Sequence, residues 1–156
     1  MEELFAKYYN ELMLYVISLC RNKHVAEEVV STAFFRALQS TDGEVSSFKA
    51  WLFVVARNEY FSLCRKKKHL VQAPFDERIA REEAEMLDGI LRDEEYRALH
   101  RAIMLLPDAQ REAIDLFYFF DQSIRDIAQI MEKSEGSVKV LLHRARKNLK
   151  SILEEI

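Results

Sequence analysis

The sequence predicts an all-α protein in which two small helical domains are joined by a linker. Its 156 residues are 49% hydrophobic and 31% charged, with only 3 glycines and 2 prolines, which is typical of a folded, helix-rich chain. Apolar residues recur every three or four positions over most of the length, which is the spacing of one helix face. An acidic stretch around Pro74 interrupts this pattern. We therefore expect a first domain over residues 1–70, an acidic linker over 71–92, and a second domain over 93–156 that contains a helix-turn-helix.

The first domain is predicted to contain three helices. Residues 2–22 carry apolar side chains at helical spacing, and a second helix runs from about Val25 to Gln39, before the turn-like STDGEVSS. A third helix begins after Ser46 or Ser47, since either serine can cap its first turn. The residues expected to form the core faces of the second and third helices are Val29, Val30, Ala33, Phe34, Ala37 and Leu38, and Phe48, Trp51, Leu52, Val55 and Phe61.

The second domain begins where helical spacing resumes near Asp93. Its first helix stops before Pro107, because proline disfavours the helical conformation in the residue before it. Proline is tolerated in the first turn of a helix, so Pro107 is expected to open the next one, DAQREAIDLFYFF.

The end of the chain has the layout of a helix-turn-helix. Ser123, with Asp126 three residues later, predicts the capped start of the short helix IRDIAQIM. The turn EKSE and a longer basic helix from Glu135 follow, and this order is typical of a DNA-binding helix-turn-helix. The stripe expected to be buried in the longer helix is Val138, Leu141, Leu142, Ala145, Leu149 and Ile152. The outward face consists of Lys139, Val140, His143, Arg144, Arg146 and Lys147.

Two interpretations of this basic face are open. A solvated cationic surface is the commoner explanation of a basic helix taken alone. The capped helix and turn in front of it favour nucleic-acid recognition, because Lys and Arg can bind phosphates and guanine edges in a major groove. The distribution of charge also favours nucleic-acid recognition. The total charge is −3, yet residues 57–68 contain five basic residues and one acidic residue, and residues 123–150 contain seven basic and three acidic residues. The acidic residues are concentrated between these segments, since residues 76–95 contain nine acidic and three basic residues.

Several function classes are disfavoured by the residues present. No apolar run approaches the ~20 residues of a membrane span, and the acidic N-terminus does not resemble a signal peptide, so a soluble cytoplasmic protein is expected. Cys20 and Cys64 lack metal-ligand spacing, so neither a zinc site nor a disulfide framework is predicted. The four histidines are scattered, and no glycine-rich phosphate loop or catalytic triad spacing is present. We expect no enzymatic activity and no cofactor.

Four segments resemble bacterial sigma factors of the extracytoplasmic-function type. SIRDIAQIMEKSEGSVKVLLHRARKNLK is similar to region 4.2 of that family, and LHRAIMLLPDAQREAIDLFYFFDQS to region 4.1. HVAEEVVSTAFFRALQ resembles region 2.2, and FKAWLFVVARNEYFSLCRKKK regions 2.3 and 2.4. The resemblance implies an alternative sigma factor that binds core RNA polymerase at the β′ clamp helices and β flap. Such a factor directs initiation by recognising the −35 and −10 promoter elements and trapping melted DNA, and an anti-sigma factor is a further implied partner.

The resemblance also implies roles for individual residues. The −35 element would be contacted by Lys139, Val140, His143, Arg144, Arg146 and Lys147. Asn58 would lie in a pocket that accepts a base flipped out of the −10 element, and the loop 41–47 would form the other wall of that pocket. The same element would also be contacted by Arg57, Arg65, Lys66 and Lys67. The polymerase would be contacted by Glu28, Thr32, Phe35 and Gln39.

The chain departs from the family pattern at three places. Val140 and Leu141 stand where serine and arginine are common, so Val140 is expected to meet a thymine methyl instead of making a polar contact. Glu132 stands where a glycine is common at the turn, and it carries strain if the turn needs a positive φ. Ser31 and Thr32 stand where glutamine and glutamate are usual.

A second class of function is also kept open. The chain would then be a helical interaction or regulatory protein whose helix-turn-helix is structural or serves simple DNA binding. Stable binding to core RNA polymerase separates the two hypotheses.

Overall fold

The computed structural model of the chain describes residues 2–39, 47–67 and 94–155. Every regular element in these ranges is a helix, which confirms the predicted all-α class. The chain divides into two compact units, Met1–Glu83 and Ala84–Ile156. The acidic linker 71–92 and residues 41–46 of the loop lie outside the described residues, so the predicted domain boundaries stay a prediction.

Unit 1 contains, among its described residues, the helices α1 (Glu2–Cys20), α2 (Lys23–Gln39) and α3 (Phe48–Lys66). Of the two serines predicted as possible caps of α3, Ser47 is the cap, and its hydroxyl accepts a hydrogen bond from the Ala50 N–H at 3.0 Å. The buried rings of Tyr15 and Phe53 stack with centroids 4.9 Å apart, which joins α1 to α3 in the centre of the core.

Two ion pairs also hold α3 against its neighbours. The Arg36 guanidinium of α2 lies 3.1 Å from the Glu59 carboxylate of α3. The Lys49 ammonium of α3 lies 2.7 Å from the Glu11 carboxylate of α1. Each pair joins two helices, so together they restrict how α3 can shift along the other two.

The predicted core faces of α2 and α3 need correction. Leu38 is 63% exposed, although the other five residues predicted for the α2 core are buried. On α3 the buried residues are Ala50, Leu52, Phe53, Ala56 and Tyr60, whereas Phe48, Trp51 and Val55 are half-buried and Phe61 is exposed. Apolar residues lie on all sides of α3, so their spacing alone does not select a face. Packing against α1 and α2 makes that selection.

Unit 2 contains, among its described residues, α4 (Glu94–Ile103), α5 (Asp108–Ile114), a π-helix (Asp115–Phe119), α6 (Ile124–Met131) and α7 (Glu135–Glu154). Pro107 stands at the N-cap of α5, one position before the expected first turn. The predicted continuous helix from Asp108 instead widens into the π-helix, where the Phe120 N–H reaches the Asp115 carbonyl at 3.0 Å. Helix α7 packs on α4, α5 and α6.

The helix-turn-helix consists of α6, a short turn and α7. The Ser123 hydroxyl accepts from the Asp126 N–H at 3.0 Å, which confirms the predicted cap of α6. Ser134 caps α7 in the same way, accepting from the Ser137 N–H at 3.0 Å. Between them Glu132 adopts a left-handed conformation, with φ 55° and ψ 48°. The turn therefore has the positive φ that favours glycine, and Glu132 carries the strain expected at this position.

Replacing Glu132 with glycine is expected to stabilise the protein by about 0.5–1 kcal/mol, since the left-handed conformation costs an L-residue about 1–2 kcal/mol and the added freedom of unfolded glycine offsets about half of that. Urea denaturation followed by circular dichroism measures the change. Lys133→Gly is the matched control: Lys133 has a negative φ, so its replacement should destabilise the protein. A lower free energy of unfolding for Glu132→Gly would contradict the strain at this turn.

Candidate nucleic-acid interface

Helix α7 buries one apolar stripe and leaves the opposite side to solvent. Val138, Leu142, Ala145 and Leu149 are buried, and Leu141 and Ile152 are half-buried, so the predicted stripe is confirmed with two partly exposed edges. The stripe packs on α5 and α6, and buried Ile127 and Ala128 of α6 belong to this core. We call α7 the recognition helix, because it is the second helix of the helix-turn-helix.

The outward face of the recognition helix is basic and contains one apolar residue. All six side chains predicted for it are exposed: Lys139, Val140, His143, Arg144, Arg146 and Lys147. Val140 is 48% exposed although it is apolar. Lysine and arginine can bind phosphates or guanine edges, and an exposed valine can contact a thymine methyl group. The arrangement therefore suits a DNA major groove.

Arg146 differs from the other basic residues of this face. Its Nε donates a hydrogen bond to the Tyr118 hydroxyl at 2.7 Å, and its guanidinium carbon lies 5.6 Å from the ring centroids of both Phe117 and Tyr118. The structure thus places Arg146 against the π-helix of its own unit. Nothing in the sequence pattern singled out Tyr118, because a regular α-helix was expected there.

Helix α2 exposes a mixed polar and apolar face in unit 1. Glu28, Phe35 and Gln39 are exposed, and Thr32 is half-buried, with its hydroxyl donating to the Glu28 carbonyl at 3.0 Å. The structure therefore brings the four predicted residues onto one face. Leu38, which the sequence had assigned to the core, lies three residues after Phe35, and the two are 63% and 59% exposed. An exposed aliphatic and aromatic pair surrounded by polar groups is typical of a protein-binding surface.

Helix α3 exposes a second mixed face, which contains Asn58. Asn58, Phe61 and Arg65 are exposed at spacings of three and four residues, so they lie along one side of the helix. Lys66 and Lys67 are exposed at its C-terminal end. Arg57 is half-buried, and its guanidinium lies 4.7 Å from the centroid of the Phe61 ring. This face combines an amide, an aromatic ring and cations, which are groups that single-stranded nucleic acids bind.

Other kinds of site find no support in the part of the chain that the structure describes. Within residues 2–39, 47–67 and 94–155 no group of three or more His, Cys, Asp or Glu side chains could hold a metal ion. Among the same residues no helix is long and apolar enough to cross a membrane.

Comparison with known protein families and structures gives one consistent result. The model of sigma-70 region 2 matches residues 4–70, and that of sigma-70 region 4 matches residues 96–149. The ECF RNA polymerase sigma factor SigM of Bacillus subtilis (strain 168) is 31% identical over 153 residues, covering 97% of this chain and 93% of that protein. SigW of the same organism is 30% identical over 149 residues, covering 86% and 79%. The solved structure of the sigma factor RpoE in complex with the anti-sigma factor NepR, from Bartonella quintana, is similar with a TM-score of 0.68 and 26% identity, covering 98% of this chain and 96% of that one.

Proposed function

The chain belongs to the extracytoplasmic-function (ECF) group of the sigma-70 family, and from this membership we propose which of its surfaces bind RNA polymerase and which bind promoter DNA. It is an alternative sigma factor, which directs transcription initiation and is not an enzyme. This membership favours the sigma-factor hypothesis over that of a helix-turn-helix regulator without a polymerase partner. We place the protein in the cytoplasm, where RNA polymerase is found in bacteria.

The recognition helix contacts the −35 element. The observation that carries this proposal is its exposed basic face, opposite a buried stripe, in a helix-turn-helix capped at both helices. The N-terminal half of a recognition helix meets base edges, which assigns Lys139, Val140, His143 and Arg144 to the bases. Lys147 lies further along the helix and is suited to a phosphate. The thymine contact of Val140 would distinguish this protein from relatives with a serine there.

The exposed face of α2 contacts the β′ clamp helices of core polymerase. Phe35 and Leu38 supply the apolar centre of this surface, and Glu28 and Gln39 lie beside them. Buried aromatic residues surrounded by polar contacts carry most of the affinity at protein interfaces. The hydroxyl of Thr32 is already bonded within its own helix, so we assign Thr32 to packing at the edge of the surface. Unit 2 would contact the β flap.

The exposed face of α3 binds the melted −10 element. Asn58 would hydrogen-bond a base that has left the stack, and the Phe61 ring with Arg57 above it offers a surface on which a neighbouring base can stack. Arg65, Lys66 and Lys67 would bind backbone phosphates, so this contact weakens with added salt. Binding of unpaired bases stabilises the open promoter without any catalytic group.

An anti-sigma factor is a further proposed partner. The structural neighbour RpoE was solved in complex with the anti-sigma factor NepR. We propose that a partner of the same class covers the apolar face of α2 in this protein. Binding there would exclude core polymerase, because the same Phe35 and Leu38 side chains would be occupied.

In vitro transcription with purified core polymerase tests the proposed function. Core enzyme with the full-length chain is expected to give run-off products from a subset of promoters in a library, and core enzyme alone should give none of them. The selected promoters should share two elements separated by a constant spacing, since two DNA-binding units are present. Failure to bind core polymerase at low salt would overturn the proposal.

Asn58→Ala is expected to reduce promoter opening by roughly 2- to 10-fold, because one hydrogen bond to an unpaired base contributes about 0.5–1.5 kcal/mol. Formation of the closed complex should stay within twofold of wild type, since no base has left the duplex at that stage. Permanganate footprinting and gel shift at low temperature measure the two steps. Asn10→Ala, which removes an exposed asparagine from α1, is the control and should change neither step. An equal loss in both steps would contradict a role for Asn58 in melting.

A further inference from the structure

The recognition helix is joined to the preceding helices by hydrogen bonds on both flanks of its buried stripe. On one flank the Arg146 Nε donates to the Tyr118 hydroxyl at 2.7 Å. On the other the Asn148 Nδ2 donates to the Gln110 Oε1 at 2.7 Å. Successive residues of an α-helix are about 100° apart, so Arg146 and Asn148 lie roughly 160° apart around the axis, with the stripe between them. Both bonds connect α7 to the segment formed by α5 and the π-helix.

The π-helix brings two aromatic rings to the Arg146 flank. Each turn of a π-helix contains an additional residue, which rotates the side chains of Asp115–Phe119 relative to those of α5. Phe117 and Tyr118 meet edge to face with centroids 4.9 Å apart, and the Arg146 guanidinium lies 5.6 Å from each. The guanidinium is therefore held by a hydrogen bond and by two ring faces on the same side of the helix.

We propose that Arg146 is a positioning residue, which together with Asn148 fixes the rotation of the recognition helix about its own axis. The −35 preference would then depend on Tyr118 and Gln110, which lie outside that helix. The inference rests on the proposed function of α7. An apolar stripe contributes burial energy that has no direction, whereas a hydrogen bond weakens steeply when its angle changes. The two flanking bonds therefore add a directional restraint to the one that packing of the stripe provides.

A small rotation would matter for DNA recognition. Side-chain surfaces lie about 5–6 Å from the axis of a helix, so a rotation of ~10° moves them by about 1 Å. That displacement takes a donor out of the narrow distance range of a hydrogen bond to a base edge. Loss of the Tyr118 contact should thus weaken base recognition by Arg144 without removing any charge from the interface.

Two conservative substitutions separate positioning from a direct phosphate contact. Arg146→Lys keeps the positive charge and removes the planar group with its Nε donor. Tyr118→Phe keeps the ring and removes only the hydroxyl. A direct phosphate contact by Arg146 would be kept by the lysine of Arg146→Lys and would not be affected by Tyr118→Phe. In the positioning role both changes remove the same bond, so their combination should be no worse than either alone.

Holoenzyme reconstituted with each full-length variant provides the test. The measurement is affinity for a promoter selected by the wild-type holoenzyme, compared with the same promoter carrying a scrambled −35 element, at several salt concentrations. We expect Tyr118→Phe and Arg146→Lys each to lower the −35 preference by about 2- to 10-fold, the range of one hydrogen bond, with an unchanged salt slope. Gln110→Ala should act in the same direction. Lys147→Ala is the control, and its salt slope should fall by about 0.9 because one phosphate contact is lost.

The other results would overturn the inference. A wild-type preference in both conservative variants would show that the bond does not position the helix. A salt slope reduced by about one in Arg146→Ala would make Arg146 a phosphate ligand. Loss of core binding or a lower melting temperature in Tyr118→Phe that accounts for the whole effect would make the bond merely stabilising. If the wild-type holoenzyme binds the promoter with the scrambled −35 element as tightly as the intact promoter, the proposed function of α7 is wrong. That result is obtained before any variant is made.

Discussion

Arg144→Ala is expected to lower transcription from a −35-dependent promoter by roughly 5- to 150-fold, because a bidentate arginine contact to guanine contributes about 1–3 kcal/mol of discrimination. Arg144 is exposed on the outward face of the recognition helix, one turn after Val140. Its neighbour Ala145 is buried, so the backbone at this point is held by the core while the arginine side chain extends toward solvent. The residue can be truncated without opening a cavity, and the folded structure should persist.

Run-off transcription on matched promoters, with and without the −35 element, measures the effect of Arg144→Ala. The loss should be large on the first promoter and small on the second, and binding to core polymerase should stay within twofold of wild type. Arg101→Ala is the control, since it removes an equal charge from an exposed site on α4. Similar losses on both promoters would mean that Arg144 contributes only general attraction to DNA.

Phe35→Ala is expected to weaken binding to core polymerase by about 30-fold or more, because truncation of an aromatic residue at the centre of an interface commonly costs at least about 2 kcal/mol. Phe35 is 59% exposed in the free protein, so its removal should change the free energy of unfolding by less than about 0.5 kcal/mol. Leu38→Ala should act in the same direction with a smaller effect, because less apolar surface is lost.

The adjacent phenylalanine offers a sharp comparison for Phe35→Ala. Phe34 is 6% exposed, so Phe34→Ala should destabilise unit 1 by about 3–5 kcal/mol. Phe61→Ala removes another exposed ring from unit 1 and should leave core binding unchanged while impairing promoter opening. Fluorescence titration of labelled core polymerase measures the affinities, and thermal unfolding measures stability. Wild-type affinity in Phe35→Ala would place the polymerase surface elsewhere.

Local rules explain which parts of the fold could be predicted. Caps depend on a serine side chain and an N–H three residues away, so Ser123 could be identified from the sequence alone, whereas the cap of α3 could be narrowed only to Ser46 or Ser47. The buried stripe of α7 was predicted because polar residues clearly separate its two sides. Helical spacing gave the wrong burial for Leu38 and for several residues of α3, where apolar residues extend around the helix. In such helices the position of neighbouring helices decides which side is buried.

For this protein the sequence by itself determined the helical class, the Ser123 cap, the helix-turn-helix and the residues that form its basic face. These features depend on short spacings and on charge, which are present before the chain folds. Only the tertiary structure showed that Leu38 joins Phe35 on the exposed face of α2. It alone placed Arg146 against Tyr118, because that contact spans 28 residues and requires the π-helix. A contact between distant residues depends on how helices pack, and helix packing is a property of the whole core.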